Sequence, residues 1–250
     1  MFLIENKKDV ELFVLKTKLR ALQDYLPQDI DYFDEGSLYP ARMNIKECIP
    51  VGSIAFVEAC LRTVHGISHI VPLEVPEALR KPEFLMRQYN VVPGSKVPKT
   101  GFWHVKDVSR LKQMSFTGGV DALNDFGIKI FDDKTYVVSE VIEIMSEYRV
   151  IVLNDNIKAI QHYYGIPTIM PNEKGIEKIK HMVDVYAEEN RPDAYAMDIA
   201  VLKNREVAII ECCPFSCLAT YGYTDDDLPL MYEKGFKWIV KNKGGIQLWN

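Results

Sequence analysis

Asp198 in AYAMDIAVL and Glu211 in VAIIECCPF are carboxylates inside otherwise apolar stretches. Burying such a group without a partner is expensive, so each needs a cation nearby. The two stretches read as strands joined by a tight turn at Asn204-Arg205. That arrangement lets both side chains point to one face and converge on a divalent ion. Mg2+ suits such a pair, because it takes one or two carboxylates and completes its shell with water and phosphate oxygens. Alternatively, each acid pairs with a buried Arg or Lys.

Lys106 lies in FWHVKDV and Arg149 in SEYRVIVL, strand-like runs in which a cation needs a reason. A lysine is a mobile point charge suited to phosphate, and an arginine is a planar fork for phosphate or carboxylate. Strand alternation could equally aim either at solvent. The segment LKQMSFTGG, 111–119, joins a basic residue to a Thr-Gly-Gly turn whose backbone N–H groups could meet phosphates. There is no GxxxxGK[ST], and no GxGxxG follows a strand, so P-loop and dinucleotide fingerprints are excluded. His65 and His69 have i,i+4 spacing, but the intervening Gly66 and the missing glutamate argue against a zinc helix. In CCPFSC, Cys213 or Cys217 would make a nucleophile only with a base such as His162. Cysteines in apolar strands are more often core, and so are tyrosines such as Tyr163, Tyr164, Tyr221 and Tyr223.

The elements that must position these groups follow from periodicity. Met1 to Ile4 is a short apolar opening, followed by a helix with Val10, Phe13, Val14 and Leu22 near one face and an end at Pro27. Asp29–Met43 reads as loop or edge strand, and Ile49–Leu61 as a turn feeding a helix capped by Ser53. Prolines crowd 72–98, a punctuation expected between lobes. Strands are expected at FWHVKDV, 134–144, 147–154 and 157–165, with a hairpin turn at Asn154-Asp155-Asn156. A helix is expected from Asn172 through Tyr186, strands at 194–203 and 206–215, and a last helix after an acidic cap at Asp225-Asp226-Asp227. The result is an α+β chain with antiparallel pairs in its second half.

Composition narrows the function classes. The chain has 250 residues, 48% of them hydrophobic, and a net charge of −5, which disfavours binding nucleic acid through a basic face. No apolar run is long enough for a membrane span and the N-terminus carries charges too early for a signal peptide, so a cytoplasmic setting is expected. Five cysteines without framework spacing suggest free thiols.

Taken in order, IPVGSIAFV, WHVKDVSRLKQMSFTGGV, VVSEVIEIMSEYRVIVLNDNIKAIQHYYG and YAMDIAVLKNREVAIIECCPFSCLATYG resemble a divergent ATP-grasp clade. That clade is widespread in tailed-phage proteins, and a phage-encoded chain would sit in host cytoplasm. In eukaryotes it is typified by the cell-division-cycle protein that helps assemble translation initiation factor 2. The resemblance covers roughly residues 49–240. It implies an ATP-grasp fold: two α+β lobes clamping a nucleotide across 96–250 (small lobe 96–145, large lobe 146–250), preceded by a smaller mixed α/β lobe over 1–95.

By the same resemblance, Lys106, Lys112, Phe116, Thr117 and Gly118 hold ATP phosphates. Adenine lies beside Ser139, Glu140, Val141 and Ile142, Arg149 reaches the phosphates, and Asp198 and Glu211 hold Mg2+. The family commonly carries Glu-x-Asn on its last strand, whereas this chain has Glu211-Cys212-Cys213, and a thiol is a poor ligand for a hard cation. Either Cys213 leaves its metal position to water, or nucleotide binds weakly and the protein serves as a binding module. The usual arginine near the lysine strand is here His104, or is displaced to Arg110. The implied activity joins an unidentified carboxylate and amine, on a peptide or protein, through an acyl phosphate. The rival is a non-catalytic ATP-binding assembly factor.

Overall fold

The computed structural model describes residues 2–5, 9–21, 30–33 and 48–245. Near the start, β1 (Phe2–Glu5) pairs in parallel with both β2 (Ile30–Phe33) and β3 (Ile49–Val51). β1 is buried throughout, as the central strand of a parallel sheet must be. After β1 comes α1 (Val10–Ala21). It buries Leu12 and Leu15, one turn apart, and leaves Phe13 67% exposed, so its inward face is not the expected one through Phe13. The expected helix end at Leu22 and Pro27, and Asp29–Met43 apart from β2, lie outside the described residues. From β3 the chain enters α2 (Ile54–His65), whose first turn is capped by Ser53 accepting from the Phe56 amide. Gly66 closes it at φ 67°, which separates His65 from His69.

The second sheet is antiparallel, in the order β4 (Tyr89–Pro93), β7 (Thr135–Ser139), β5 (Phe102–Asp107), β6 (Ser115–Gly119). Ahead of it lies the short α3 (Pro82–Leu85). Two expectations are corrected here. The Thr-Gly-Gly turn is strand: Thr117 pairs with His104 and Gly118 with Trp103, so the loop is confined to 108–114. Nor is 134–144 one strand. β7 stops at Ser139, and 140–143 crosses to the third sheet, with the Glu140 amide donating to the Gln88 carbonyl at 3.0 Å. Branched side chains favour extended backbone without saying which sheet it joins.

The third sheet is also antiparallel: β11 (Val207–Pro214), β10 (Ala194–Leu202), β8 (Ile144–Leu153), β9 (Asn156–Gly165). The β8–β9 turn has Asn154 and Asp155 at φ 48° and 63°, the two positive values a tight hairpin requires. Against this sheet pack α4 (Glu173–Ala187), capped by Asn172, and α5 (Leu228–Lys241). The expected acidic cap of α5 makes no side-chain capping bond. Asp226 and Asp227 pair instead with Lys18 and Lys158, each at 2.5 Å.

The parallel sheet and the third sheet share one apolar core with α4 and α5. The second sheet has its own, made by Val97, Val105, Val120, Leu123, Tyr136 and Val138. Among the described residues no helix is long and apolar enough to cross a membrane.

α5 lies directly on the chain leaving β11: a Cβ on Gly235 would stand 2.0 Å from the Phe215 carbonyl oxygen. Gly235→Ala therefore lowers stability by about 1–3 kcal/mol by overpacking, although alanine is the better helix former. Denaturant unfolding measures this, and a stabilised variant would mean that α5 is not seated on Phe215.

Candidate active site

Between the second and third sheets lies a cavity of about 870 Å3, to whose lining Ile54, Ile70 and Pro72 of the N-terminal segment also contribute. Alternation along β5 sends Val105 into the core of its own sheet and turns His104 and Lys106 into the cavity. Across it, Arg149 on β8, Asp198 on β10 and Glu211 on β11 are register partners, so the three charges form a single row across three strands. The β10–β11 register shifts just after Asp198, and Ile210 and Glu211, consecutive residues, both line the cavity. A bulge of this kind re-aims side chains that a regular strand would point apart.

Both Asp198 oxygens accept from Arg149, Oδ1 from Nε at 2.8 Å and Oδ2 from Nη2 at 2.7 Å, and Nη1 donates to the Ala219 carbonyl at 2.7 Å. The guanidinium also stands over the Tyr221 and Tyr163 rings, at 4.9 and 5.6 Å, and those rings are stacked 4.8 Å apart. Lys106 Nζ sits between two carboxylates, pairing with Glu74 Oε1 at 2.5 Å and with Glu211 Oε2. Glu74 is 2% exposed, holds φ 51°, and its carbonyl accepts from the Cys212 amide at 2.7 Å, which fixes it on β11.

The charges tune one another. Burial works against the Lys106 ammonium, but Glu211 and Glu74 outweigh it and hold its pKa above the lysine range. Burial raises Glu74, with Lys106 opposing and Glu211 reinforcing. Glu211 is also penalised by burial, yet Lys106 brings it below the usual carboxylate range. Burial lifts Asp198 despite Arg149. His104 falls to about 4 through burial and the neighbouring Lys106 and Arg87, so at neutral pH its Nδ1 meets Thr117 Oγ1, 2.8 Å away, as an uncharged ring.

Of the residues singled out from sequence, Lys106, Lys112, Thr117, Ser139, Glu140, Val141, Ile142, Arg149, Asp198, Glu211 and Cys213 all line this cavity. Gly118 does not, and Phe116 packs against the core of the second sheet. Glu74 and Glu147 are lining residues that sequence reasoning misses. Glu74 carries the same signal as Asp198, an acid inside the apolar run IVPLEVP. Glu147 accepts from the Tyr163 hydroxyl at 2.5 Å, a partnership between β8 and β9 that no local pattern announces.

The donor set can be tested against Mg2+. Among the described residues no three His, Cys, Asp or Glu converge on one point. Asp198 and Glu211 are two hard donors side by side, enough for an ion that draws its remaining ligands from phosphates and water, and too few for one held by protein alone. Cys213 contributes no hard oxygen; its thiol donates to Glu211 Oε1 at 3.6 Å. Burial pushes the Cys217 thiol up to about 12 and the Cys213 thiol well above its ordinary value, so neither is an available thiolate nucleophile.

The model of an ATP-grasp domain family, the second family of its clade, matches residues 84–228, more than half of the chain, and the chain belongs to that family. Among solved structures, D-cycloserine synthetase DcsG is similar at TM-score 0.58 and 8% identity, covering 97% of this chain and 99% of that one. A D-alanine–D-alanine ligase from Bacillus anthracis, complexed with ATP, gives 0.56 and 12%, with 97% and 95% covered. The ATP-grasp ligase PsnB, complexed with a minimal precursor, gives 0.54 and 11%, with 95% and 98% covered. At identities this low the likeness establishes the ATP-grasp fold alone. No curated protein sequence matches the chain closely enough to count as a relative.

Removing the ammonium in Lys106→Met strands a buried Glu74, and roughly 3–5 kcal/mol of stability is lost; adding Glu74→Gln restores most of it. Thermal denaturation of the single and double variants checks this, and equal losses in both would show that a stranded Glu74 charge is not what destabilises Lys106→Met. His104 yields a pH test. Its folded-state pKa is depressed from 6.5 to about 4, so the unfolded chain binds the proton first as pH falls. Its contribution is complete above 6.5 and is lost between there and about 4. His104→Gln therefore flattens the stability profile across that window in denaturant titrations, and an unchanged slope would refute the assignment.

Proposed function

We propose that this chain is an ATP-dependent carboxylate–amine ligase working through an acyl phosphate. The observation that carries the reading is Lys106, reaching from the second sheet to the row of Arg149, Asp198 and Glu211 on the third, inside a cavity large enough for a nucleotide and an acceptor. Adenine lies against Ser139, Glu140, Val141 and Ile142 on the segment that crosses between the sheets. Glu147, between that crossing and Arg149, is placed to accept from sugar hydroxyls. Lys106, Lys112, Thr117 and Arg149 serve the phosphates. Arg149 has two N–H groups beyond the three it spends on Asp198 and Ala219.

Asp198 and Glu211 would hold Mg2+, which supplies a Lewis acid for the phosphate oxygens. A carboxylate oxygen of the acceptor attacks the γ-phosphorus, and the bond to the β-phosphate oxygen breaks, releasing ADP. The amine then adds to the acyl carbon, the C–O bond to phosphate breaks, and the amine proton leaves. No protein nucleophile is needed. Lys106 and Arg149 spread the charge that builds on the transferring group, the largest contribution such a site can make. The fold likeness to PsnB, solved with a precursor, supports a peptide or protein acceptor.

A second reading, a nucleotide-binding assembly factor without turnover, is favoured by Cys213, which stands where the family has a metal-ligating asparagine. Calorimetry with ATP and Mg2+ decides whether a nucleotide site exists. The native chain binds, Lys106→Ala in the Glu74→Gln background loses at least tenfold, on the scale of a charge-assisted contact, and Asp198→Asn binds more weakly. ADP release then separates ligase from module, and a native chain that binds no ATP removes both readings.

A further inference from the structure

We propose that Glu58 of α2 and Arg110 form a clasp that positions the 108–114 loop, so that the N-terminal segment sets the affinity for the phosphates of the nucleotide. The inference rests on the nucleotide reading above. Glu58 is 1% exposed. Arg110 addresses it with both arms of its fork, Nε to Oε1 at 3.2 Å and Nη2 to Oε2, while the Ile70 amide donates to Oε1 at 3.0 Å. The next residue repeats the attachment: the Leu111 amide donates to the Ile70 carbonyl at 3.2 Å.

The base of the loop belongs elsewhere. The Asp107 amide donates to the Met114 carbonyl and closes the loop, the Val108 amide donates to Thr135 of β7, and the Asp107 carboxylate accepts from Ser109 within the loop and from Lys134 beside β7. The loop therefore springs from one lobe and is fastened at its tip to another. Arg110, Leu111, Lys112 and Gln113 line the cavity, and Lys112 follows the fastened tip at φ 50°. Without the clasp, a single backbone bond, Leu111 to Ile70, is left to hold the loop tip on the N-terminal segment. Arg110 is 45% exposed, and an ion pair open to solvent on one side is weak grounds for stability. Fixing the geometry of Lys112 is what this pair adds.

Glu58 and Arg110 are positioning residues, and the test separates that role from a merely structural one. Glu58→Gln keeps an oxygen for the Ile70 amide, and Arg110→Met keeps most of the side-chain volume. Calorimetry compares ATP with Mg2+ against adenosine for each single variant and for the pair, alongside hydrogen–deuterium exchange and thermal denaturation. Each variant, and the pair equally, should lose about tenfold in ATP affinity, the scale of one charge-assisted hydrogen bond. Adenosine affinity should stay constant and the Leu111 amide should exchange faster; Arg110→Met alone, which strands the buried Glu58, loses stability, while Glu58→Gln and the double variant stay near native. ATP affinity unchanged in the pair, adenosine affinity falling in step with ATP, or native protection at Leu111 would each overturn the clasp. Should the native chain bind no ATP, the nucleotide reading fails, and retained protection at Leu111 still decides against the clasp.

Discussion

An ammonium held between two carboxylates in a half-buried cleft stays there only while the three chain segments that bring them together keep their places. Lys106 comes from the second sheet, Glu211 from the third, and Glu74 from the N-terminal segment docked on β11. Because the second sheet has a core of its own, apolar packing does not bind it to the remainder as it binds the parallel sheet to the third. Among what crosses the gap are the chain at 86–88 and 140–143, the Arg87 bond to the Ile209 carbonyl, the Arg110 and Leu111 contacts with the N-terminal segment, and this triad of charges. Each carboxylate is buried enough that losing the lysine would leave it uncompensated, so the triad is a constraint on shape as much as a source of stability. It also defines the chemistry on offer. A lysine is a compact point charge on a flexible stem, free to follow a phosphate once another cation takes over one of its carboxylates.

The second set of charges works differently. Arg149, Asp198 and Glu211 occupy one row of a sheet, where register alone sets their spacing, and the bulge after Asp198 keeps Glu211 aimed inward. Three of the Arg149 N–H groups are spent on Asp198 and Ala219, which ties the 215–221 loop to the floor of the cavity. With Tyr163 and Tyr221 beside the guanidinium, this corner fixes its cation by a planar fork and two rings, where the other corner carries a point charge on a flexible stem. Positioning on one side and adaptability on the other is what transfer of a charged group between two bound molecules asks for.

Much of this is legible in the amino-acid sequence, for identifiable reasons. Asp198 and Glu211 stand out because an acid in an apolar strand must be explained, and β8, β9, β10, β11 and α4 follow from alternation and helical spacing. Glu74 gives the same signal but is masked by the prolines around it. The break at Ser139 is hidden because β7, the crossing and β8 share one branched, extended texture. The Thr-Gly-Gly segment looks like a turn, but its pairing with His104 and Trp103 is long-range. On α1, Phe13 fits an inward face on hydrophobicity alone, while Leu12 and Leu15 hold the buried one. Register, bulges and contacts between lobes depend on pairing partners far away in the chain, and local pattern does not encode them.

Cys213 bears most directly on what the site can do with a metal. Its thiol is kept neutral by burial and by the carboxylates of Glu211 and Asp198, and it donates to the Glu211 oxygen that Lys106 does not use. It is therefore a donor that orients Glu211, where an asparagine would bring a carbonyl oxygen as a third hard ligand. With two carboxylates and no third, the protein alone binds Mg2+ poorly, and the phosphates must supply much of the coordination shell. Both carboxylates are paired with Lys106 and Arg149, and on the proposed reading a nucleotide would share those cations. On the proposed reading, metal and nucleotide are then two halves of one ligand. On that reading neither half alone would repay separating the ion pairs that fill the cleft, and a thiol in place of an amide oxygen would strengthen that dependence.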